Sequence, residues 1–143
     1  MPLCGGAMEE CLFCKIVRGE IPSAQVFASA QMMAFLDISP IHKGHTLVIP
    51  KRHYPTLWDV PSDLGQEMLS VLQNLGRAVM QSTGADGLNV VMNNYQAAGQ
   101  VVDHVHWHLV PRFAEDGLRW WPQDEYESTE SMEAVAQAIQ EAL

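Results

Sequence analysis

Between His104 and Leu109 the chain reads His-Val-His-Trp-His-Leu, imidazole alternating with apolar side chains without a break. An extended strand turns successive side chains to opposite faces, so this hexapeptide limits the local fold more than any other stretch. Val105, Trp107 and Leu109 would fill a buried face. His104, His106 and His108 would share the other, with neighbouring rings about 6.5–7 Å apart. Core packing gives no reason for imidazole at every second position, so the row reads as part of a functional site.

The chain around it has the size of one compact domain. Its 143 residues, 48% hydrophobic and 17% charged, suit an ordered globular chain that buries roughly two thirds of its unfolded surface. No apolar run approaches the roughly 20 residues needed to cross a bilayer, which argues against a membrane protein. A net charge of −9 argues against a general nucleic-acid binder, although a few local donors can still hold a small phosphate ligand. Cys4, Cys11 and Cys14 are an odd number, and Met1 to Glu10 has no basic segment followed by an apolar one. A disulfide framework is therefore not expected, and the reducing cytoplasm is the expected compartment. Residues 1–8 read as a flexible leader and residues 9–143 as one domain.

The pattern along the chain predicts an α+β fold. Cys11 to Arg18 reads as a short helical turn, Ala24 to Ser29 and Met32 to Asp37 as two strands, and Thr46 to Pro50 as a strand rich in β-branched residues. Leu64 to Thr83 is the clearest helix, with Leu64, Met68, Val71, Leu72, Leu75, Ala78 and Val79 at helical spacing. Ser62 would cap its start and Gly84 would end it. Leu88 to Met92 follows as a strand, then a polar loop and the histidine strand. Met132, Val135, Ala136 and Ile139 predict a last helix over Ser131 to Leu143. Strands in hairpin-like pairs favour an antiparallel sheet of about five strands, with one long helix and one or two shorter ones.

Three readings fit His104, His106 and His108. The plainest is a polar surface strand. A metal site is the second, since His-x-His can place two imidazoles on one ion, with Asp103 the only acid beside the strand. The third is nucleophilic catalysis, in which a neutral imidazole attacks phosphorus and forms a phosphoramidate that water cleaves. The middle ring is best placed to attack, because its neighbours can orient it and supply protons. The preceding loop, with Asn93, Asn94, Ala97, Ala98, Gly99 and Gln100, allows close backbone approach and can point N–H groups at phosphate oxygens.

Other features read less specifically. Cys11-x-x-Cys14 is half of a zinc ligand set, or two small buried residues on a helical turn; a redox pair would want a βαβ context that is missing here. Trp120-Trp121, with Tyr126, reads as packing or interface. The stretch from Asp124 to Glu133 reads as a solvated connection, Arg112 as a solvent-facing strand end, His42 as a solvated turn residue and Cys4 as a spare thiol.

Taken in order, the segments from Cys11 to Pro22, from Phe35 to Pro40 with Gly44 to Lys51, and from Gly99 to Val110 resemble the histidine triad (HIT) nucleotide-binding family. The resemblance implies hydrolysis or transfer of nucleoside monophosphate groups, from phosphoramidates, dinucleoside polyphosphates or related purine nucleotides. It makes His106 the nucleophile at the α-phosphate, with His108 contacting phosphate and helping the leaving group. His104 is the first triad member and His45 a supporting fourth histidine. Asn93 and Gln100 would hold phosphate oxygens, beside Gly99 and Val101, and Asp37 would accept from ribose hydroxyls. Leu12, Phe13, Ile16, Phe35 and Ile38 would enclose the base, though each reads equally well as ordinary core. Some members carry a hydroxyl residue after the Gly-Gln pair, able to protonate the leaving group, where this chain has Val101. Some members that begin with the Cys pair bind structural zinc with two histidines, and by that resemblance His53 and His104 would complete a closed set with Cys11 and Cys14. A homodimer is implied as well. Two other functions stand beside this reading: a nucleotide-binding regulatory module with incidental catalysis, and a metal-dependent hydrolase with His104 and His106 as ligands.

Overall fold

The structure, a computed structural model, describes residues 9–143. The leader and Cys4 lie outside the described residues. Five strands, β1 (Gln25–Ala28), β2 (Met32–Leu36), β3 (Thr46–Pro50), β4 (Gly87–Met92) and β5 (Trp107–Arg112), form one antiparallel sheet in the order β1-β2-β3-β5-β4. Helices α1 (Leu12–Val17), α2 (Gly65–Thr83) and α3 (Thr129–Ala142) complete the α+β architecture anticipated from the sequence. No helix of the described residues is long and apolar enough to cross a membrane.

The two faces of the sheet are covered by different elements. Met32, Ala34, Val48, Val105, Trp107 and Leu109 pack with Leu64, Val71 and Val79 on the α2 side. Met33, Phe35, Leu47 and Ile49 pack with Phe13 and Ile16 of α1 on the other. All five residues of β3 are therefore buried, which explains its unbroken apolar run. Alternation within β2 sorts its residues between the two cores, and a one-residue slip against β3 would exchange them.

Three expectations need correction. Ser62 does not cap α2: Ser62–Leu64 forms a 3-10 turn that leads into the helix without a side-chain cap. Gly84 does end it, with φ 69° in the left-handed region. The last helix forms from Thr129, capped reciprocally by Ser128 and Ser131, but its apolar stripe finds no core, and Met132, Val135 and Ile139 stay exposed. Helical periodicity specifies the helix and not what it packs against.

The histidine segment is the third correction. Only His108 lies inside a strand, because β5 begins at Trp107, which pairs with Val48 and Met92. Continued two residues, the ladder would set Val105 opposite Pro50, which has no N–H to offer; Val105 N–H bonds Tyr54 O at 2.7 Å instead. The alternation survives outside the ladder. Val105, Trp107 and Leu109 face α2, while the rings of His104 and His106 meet Phe13 of α1.

Candidate functional site

The hydrogen-bond partners of each ring assign its tautomer. Ile41 N–H donates to His45 Nδ1 at 3.1 Å, so the proton of that neutral ring sits on Nε2 and is donated to His108 Nδ1 at 2.9 Å. The proton of His108 is then on Nε2. His106 donates Nδ1–H to the His104 carbonyl at 2.7 Å, leaving its Nε2 lone pair free. His104 donates Nε2–H to Pro50 O at 2.8 Å, leaving its unprotonated Nδ1 facing the thiols of Cys11 and Cys14. Alternate rings of one short segment therefore present opposite chemistry: a donor at His108 and a lone pair at His106.

Burial keeps these rings neutral. It is the largest cause of a lowered pKa at His45, His53, His104, His106 and His108, and it pushes His104 and His108 down to about 4. The Asp37 carboxylate partly opposes this at His45, His106 and His108. Neutral imidazole is the form that can attack phosphorus or ligate a metal.

A cleft of about 340 Å³ opens against His106 and His108. Leu12, Phe13 and Ile16 of α1 line it with Phe35 of β2, and Asp37, Ile38, Asn93, Gly99 and Val101 complete the wall. The structure thus brings together nine of the ten residues expected to contact substrate. Ile38 and Val101 are almost wholly exposed, so they are rim and not core. Ile21, Pro22 and Val102 also line the cleft; nothing in their spacing marks them.

Gln100 is the tenth, and its side chain is engaged elsewhere. It is 4% exposed, accepts from Tyr95 N–H at 2.7 Å, and donates to Pro55 O at 2.6 Å and Val102 O at 3.1 Å. These bonds hold Tyr95 at φ 70°, ψ 159°, the only non-glycine with positive φ among the described residues. Gln100 ties down the loop and does not reach the cleft.

His104 also lies outside the cleft, in a cluster with Cys11, Cys14 and His53. Its Nδ1 is 3.6 Å from both thiol sulfurs, and His53 Nδ1 is 3.4 Å from Cys14 Sγ. A tetrahedral zinc with bonds of about 2.3 Å to sulfur and 2.0 Å to nitrogen separates S from N by about 3.5 Å. The donor set fits that ion, and the His104 Nε2–H···O bond to Pro50 supplies the outer partner such ligands need. Both His104 nitrogens and His106 Nδ1 are engaged with separate partners: the two thiols, Pro50 O and the His104 carbonyl. Asp37, His45 and His108 also lie close together, but the facing nitrogens of the two rings are already bonded to each other.

Beyond β5 the chain doubles back as a strap over the sheet. Arg112 donates to Asp116 at 2.7 and 3.0 Å, to Asn89 Oδ1 at 2.7 Å and to Leu118 O at 3.1 Å. Its guanidinium holds the Asp116 carboxyl well below the usual range, and His42 Nε2 lies 3.2 Å from the same carboxylate. Arg112 and His42 are thus structural and not solvated, as their chain positions suggest. Under the strap lies a second cavity of about 610 Å³, bordered by His45, Asn93, His108, Arg119, Trp120 and Trp121.

The family model for the HIT domain matches residues 18–115, a span that includes the whole sheet, α2 and all three histidines. The chain belongs to the HIT family. Among HIT relatives, the adenosine 5′-monophosphoramidase HNT1 of Candida albicans is 42% identical over 106 residues, 71% of this chain and 70% of its own. A solved Streptococcus mutans structure is similar with a TM-score of 0.88 and 42% identity, covering 96% of this chain and 88% of that one. A zinc-bound histidine triad family protein of Mycobacterium smegmatis is similar with a TM-score of 0.74 and 37% identity, over 96% of this chain and 100% of its own. Within this HIT chain one short segment serves both sites: His104 belongs to the Cys/His cluster, and His106 and His108 line the cleft.

Proposed function

We propose that this protein hydrolyses or transfers the nucleotidyl group of nucleoside phosphoramidates or dinucleoside polyphosphates, carrying it transiently on His106. The observation that supports this reading best is the pairing of opposite tautomers at the cleft: the Nε2 lone pair of His106 beside the Nε2–H of His108. A purine would lie between the apolar residues of α1 and Phe35, with its ribose hydroxyls donating to Asp37. Asn93 and the backbone near Gly99 would face the phosphate oxygens.

The steps then balance without a cofactor. His106 Nε2 attacks the α-phosphorus, and the bond to the leaving group breaks. The leaving atom accepts the hydrogen bond of His108, then departs as a phosphate oxyanion or takes up one proton as an amine. The positive charge developing on His106 is met by the His104 carbonyl that accepts its Nδ1–H. Water next cleaves the P–N bond to His106, and the proton it releases replaces any taken up by an amine. Replacing His106 by Asn removes the nucleophile and leaves the cleft open. Turnover of an adenosine phosphoramidate should vanish while nucleotide binding persists, and wild-type protein should yield an acid-labile nucleotidyl adduct by mass spectrometry. Near-normal turnover in His106→Asn refutes the assignment.

We also infer that Cys11, Cys14, His53 and His104 hold a structural zinc ion, which when bound would tie α1 to the segment before β5. Elemental analysis should find about one zinc per chain, and full thermal stability after exhaustive chelation would exclude it. The family resemblance carries a cytoplasmic homodimer as part of the same reading, with the edge strand β4 available for a second copy.

A further inference from the structure

We propose that Ser23 is the residue that distinguishes ribonucleotides from 2′-deoxyribonucleotides, by pairing its hydroxyl with the 2′-hydroxyl of the bound sugar. This rests on the nucleotidyl-transfer reading, and its experiment separates the two.

The first support is the register of the sheet beyond its strand ends. Leu36 is paired with Thr46, and Gln25 with Phe35. Past those pairs, Asp37 N–H bonds His45 O at 2.9 Å and Leu36 N–H bonds Ala24 O at 3.0 Å. The register therefore sets Asp37 opposite His45, and Ser23 opposite Asp37. Residues directly opposite one another share a face, so His45, Asp37 and Ser23 stand in one row, about 5 Å from one to the next. At one end of this row His45 bonds His108 at 2.9 Å, where the phosphate would lie. At the other end stands Ser23, the only hydroxyl side chain among the described residues that line the cleft.

The second support is the supply of hydrogen-bond partners. A ribose presents two vicinal hydroxyls. Asp37 Oδ1 already accepts from Ser39 N–H at 2.8 Å, which leaves Oδ2 as the freer oxygen. One hydroxyl is well served by that oxygen, and the other needs a second partner. Ser23 is half-buried, and its hydroxyl has no hydrogen-bond partner among the described residues. A group that both donates and accepts suits another hydroxyl. The order of groups decides which one it meets. Counted from the 5′-phosphate, the 3′-hydroxyl comes before the 2′-hydroxyl; counted from His108, Asp37 comes before Ser23. Asp37 thus takes the 3′-hydroxyl and Ser23 the 2′-hydroxyl. A site that hydrogen-bonds a hydroxyl disfavours the analogue lacking it, and water at half-buried Ser23 keeps the penalty modest.

The test measures kcat/KM for the 5′-phosphoramidates of adenosine, 2′-deoxyadenosine and 3′-deoxyadenosine. Wild-type protein should prefer the ribose substrate to the 2′-deoxy one by about fivefold, the effect of one neutral hydrogen bond. Ser23→Ala should slow the ribose and 3′-deoxy substrates by about that factor, which brings the ribose and 2′-deoxy substrates level and preserves the preference at the 3′ position. Equal treatment of the ribose and 2′-deoxy substrates by wild-type protein overturns the assignment. So does an equal loss on all three substrates in Ser23→Ala, which marks a structural role, or a preference lost at the 3′ position instead. If wild-type protein cleaves none of them, the hydrolase reading fails and calorimetry with the three corresponding 5′-monophosphates decides Ser23 separately. Tighter binding of the ribose form than of the 2′-deoxy form, and only in protein with Ser23, sustains the assignment; equal binding, or none, overturns it.

Discussion

Replacing Gln100 by Ala distinguishes a loop clamp from a phosphate ligand. The side chain is 4% exposed and makes three hydrogen bonds to backbone, at 2.6, 2.7 and 3.1 Å. Each is worth about 1 kcal/mol net. Pro55 and Tyr95 lie near solvent, so water can recover part of the loss at two of them. The truncated side chain leaves a small void and releases the restraint on Tyr95 at positive φ. Together these give about 2–3 kcal/mol, or about 8 °C in Tm for a chain of this size. Gln100→Glu is the sharper variant. Its carboxylate can still accept from Tyr95 N–H, but its second oxygen would face the carbonyls of Pro55 and Val102, so it should destabilise at least as much as Ala. Thermal and urea unfolding of the three proteins measures this directly, with Michaelis constants alongside. Unchanged stability combined with a several-fold rise in KM would refute the clamp and make Gln100 a substrate contact.

Two further outcomes follow from the same coordinates. His45 and His108 are held neutral by burial, His108 with a pKa of about 4, whereas both take protons near 6.5 once unfolded. The unfolded chain therefore binds more protons below pH 6.5. Stability should be full above that value and fall as pH drops toward 4, by about 1.4 kcal/mol per pH unit for each excess proton; a flat Tm from pH 7 to 5 would contradict the tautomers assigned. Gly44 sits at φ 98°, and a Cβ there would lie 2.5 Å from Thr83 Cγ2, so Gly44→Ala should cost about 3 kcal/mol from strain and clash together. Thr83→Ser in the same chain removes the clashing methyl and should restore only part of the loss, as urea unfolding will register.

What the sequence discloses depends on whether a property is local. The α2 stripe, the β-branched run of β3 and the face alternation around His106 are each set by one element's periodicity, and each appears as read, except that Ala78 of the stripe is exposed. The end of the β5 ladder is not local: it depends on Pro50 standing opposite Val105, a pairing that no short-range pattern carries. Gln100 fails for a related reason, since an amide in a Gly-containing loop suits an external phosphate or an internal carbonyl equally well. The strap is the clearest case. Arg112, Asp116 and Asn89 have no spacing that announces a clamp, so the cavity they roof and its two tryptophans read as generic packing.

The Cys/His cluster and the His106 ring are mechanically joined, and the joint is a single carbonyl. His104 points its ring nitrogen at Cys11 and Cys14, while its backbone oxygen accepts from His106 Nδ1 at 2.7 Å. Whatever positions His104 therefore sets which nitrogen of His106 carries the proton. If a zinc ion holds the four ligands, its removal should lower kcat although the ion touches no substrate, because His106 can then present Nε2–H and lose its lone pair. KM for the nucleotide should change little, since the apolar wall and Asp37 remain. Cys14→Ser provides the variant, and a loss in kcat of tenfold or more is consistent with the cost of a wrong tautomer. Added zinc should restore kcat to chelated wild-type protein and not to the variant. Chelated protein that is folded, metal-free and undiminished in kcat would show that the carbonyl keeps its place by packing alone.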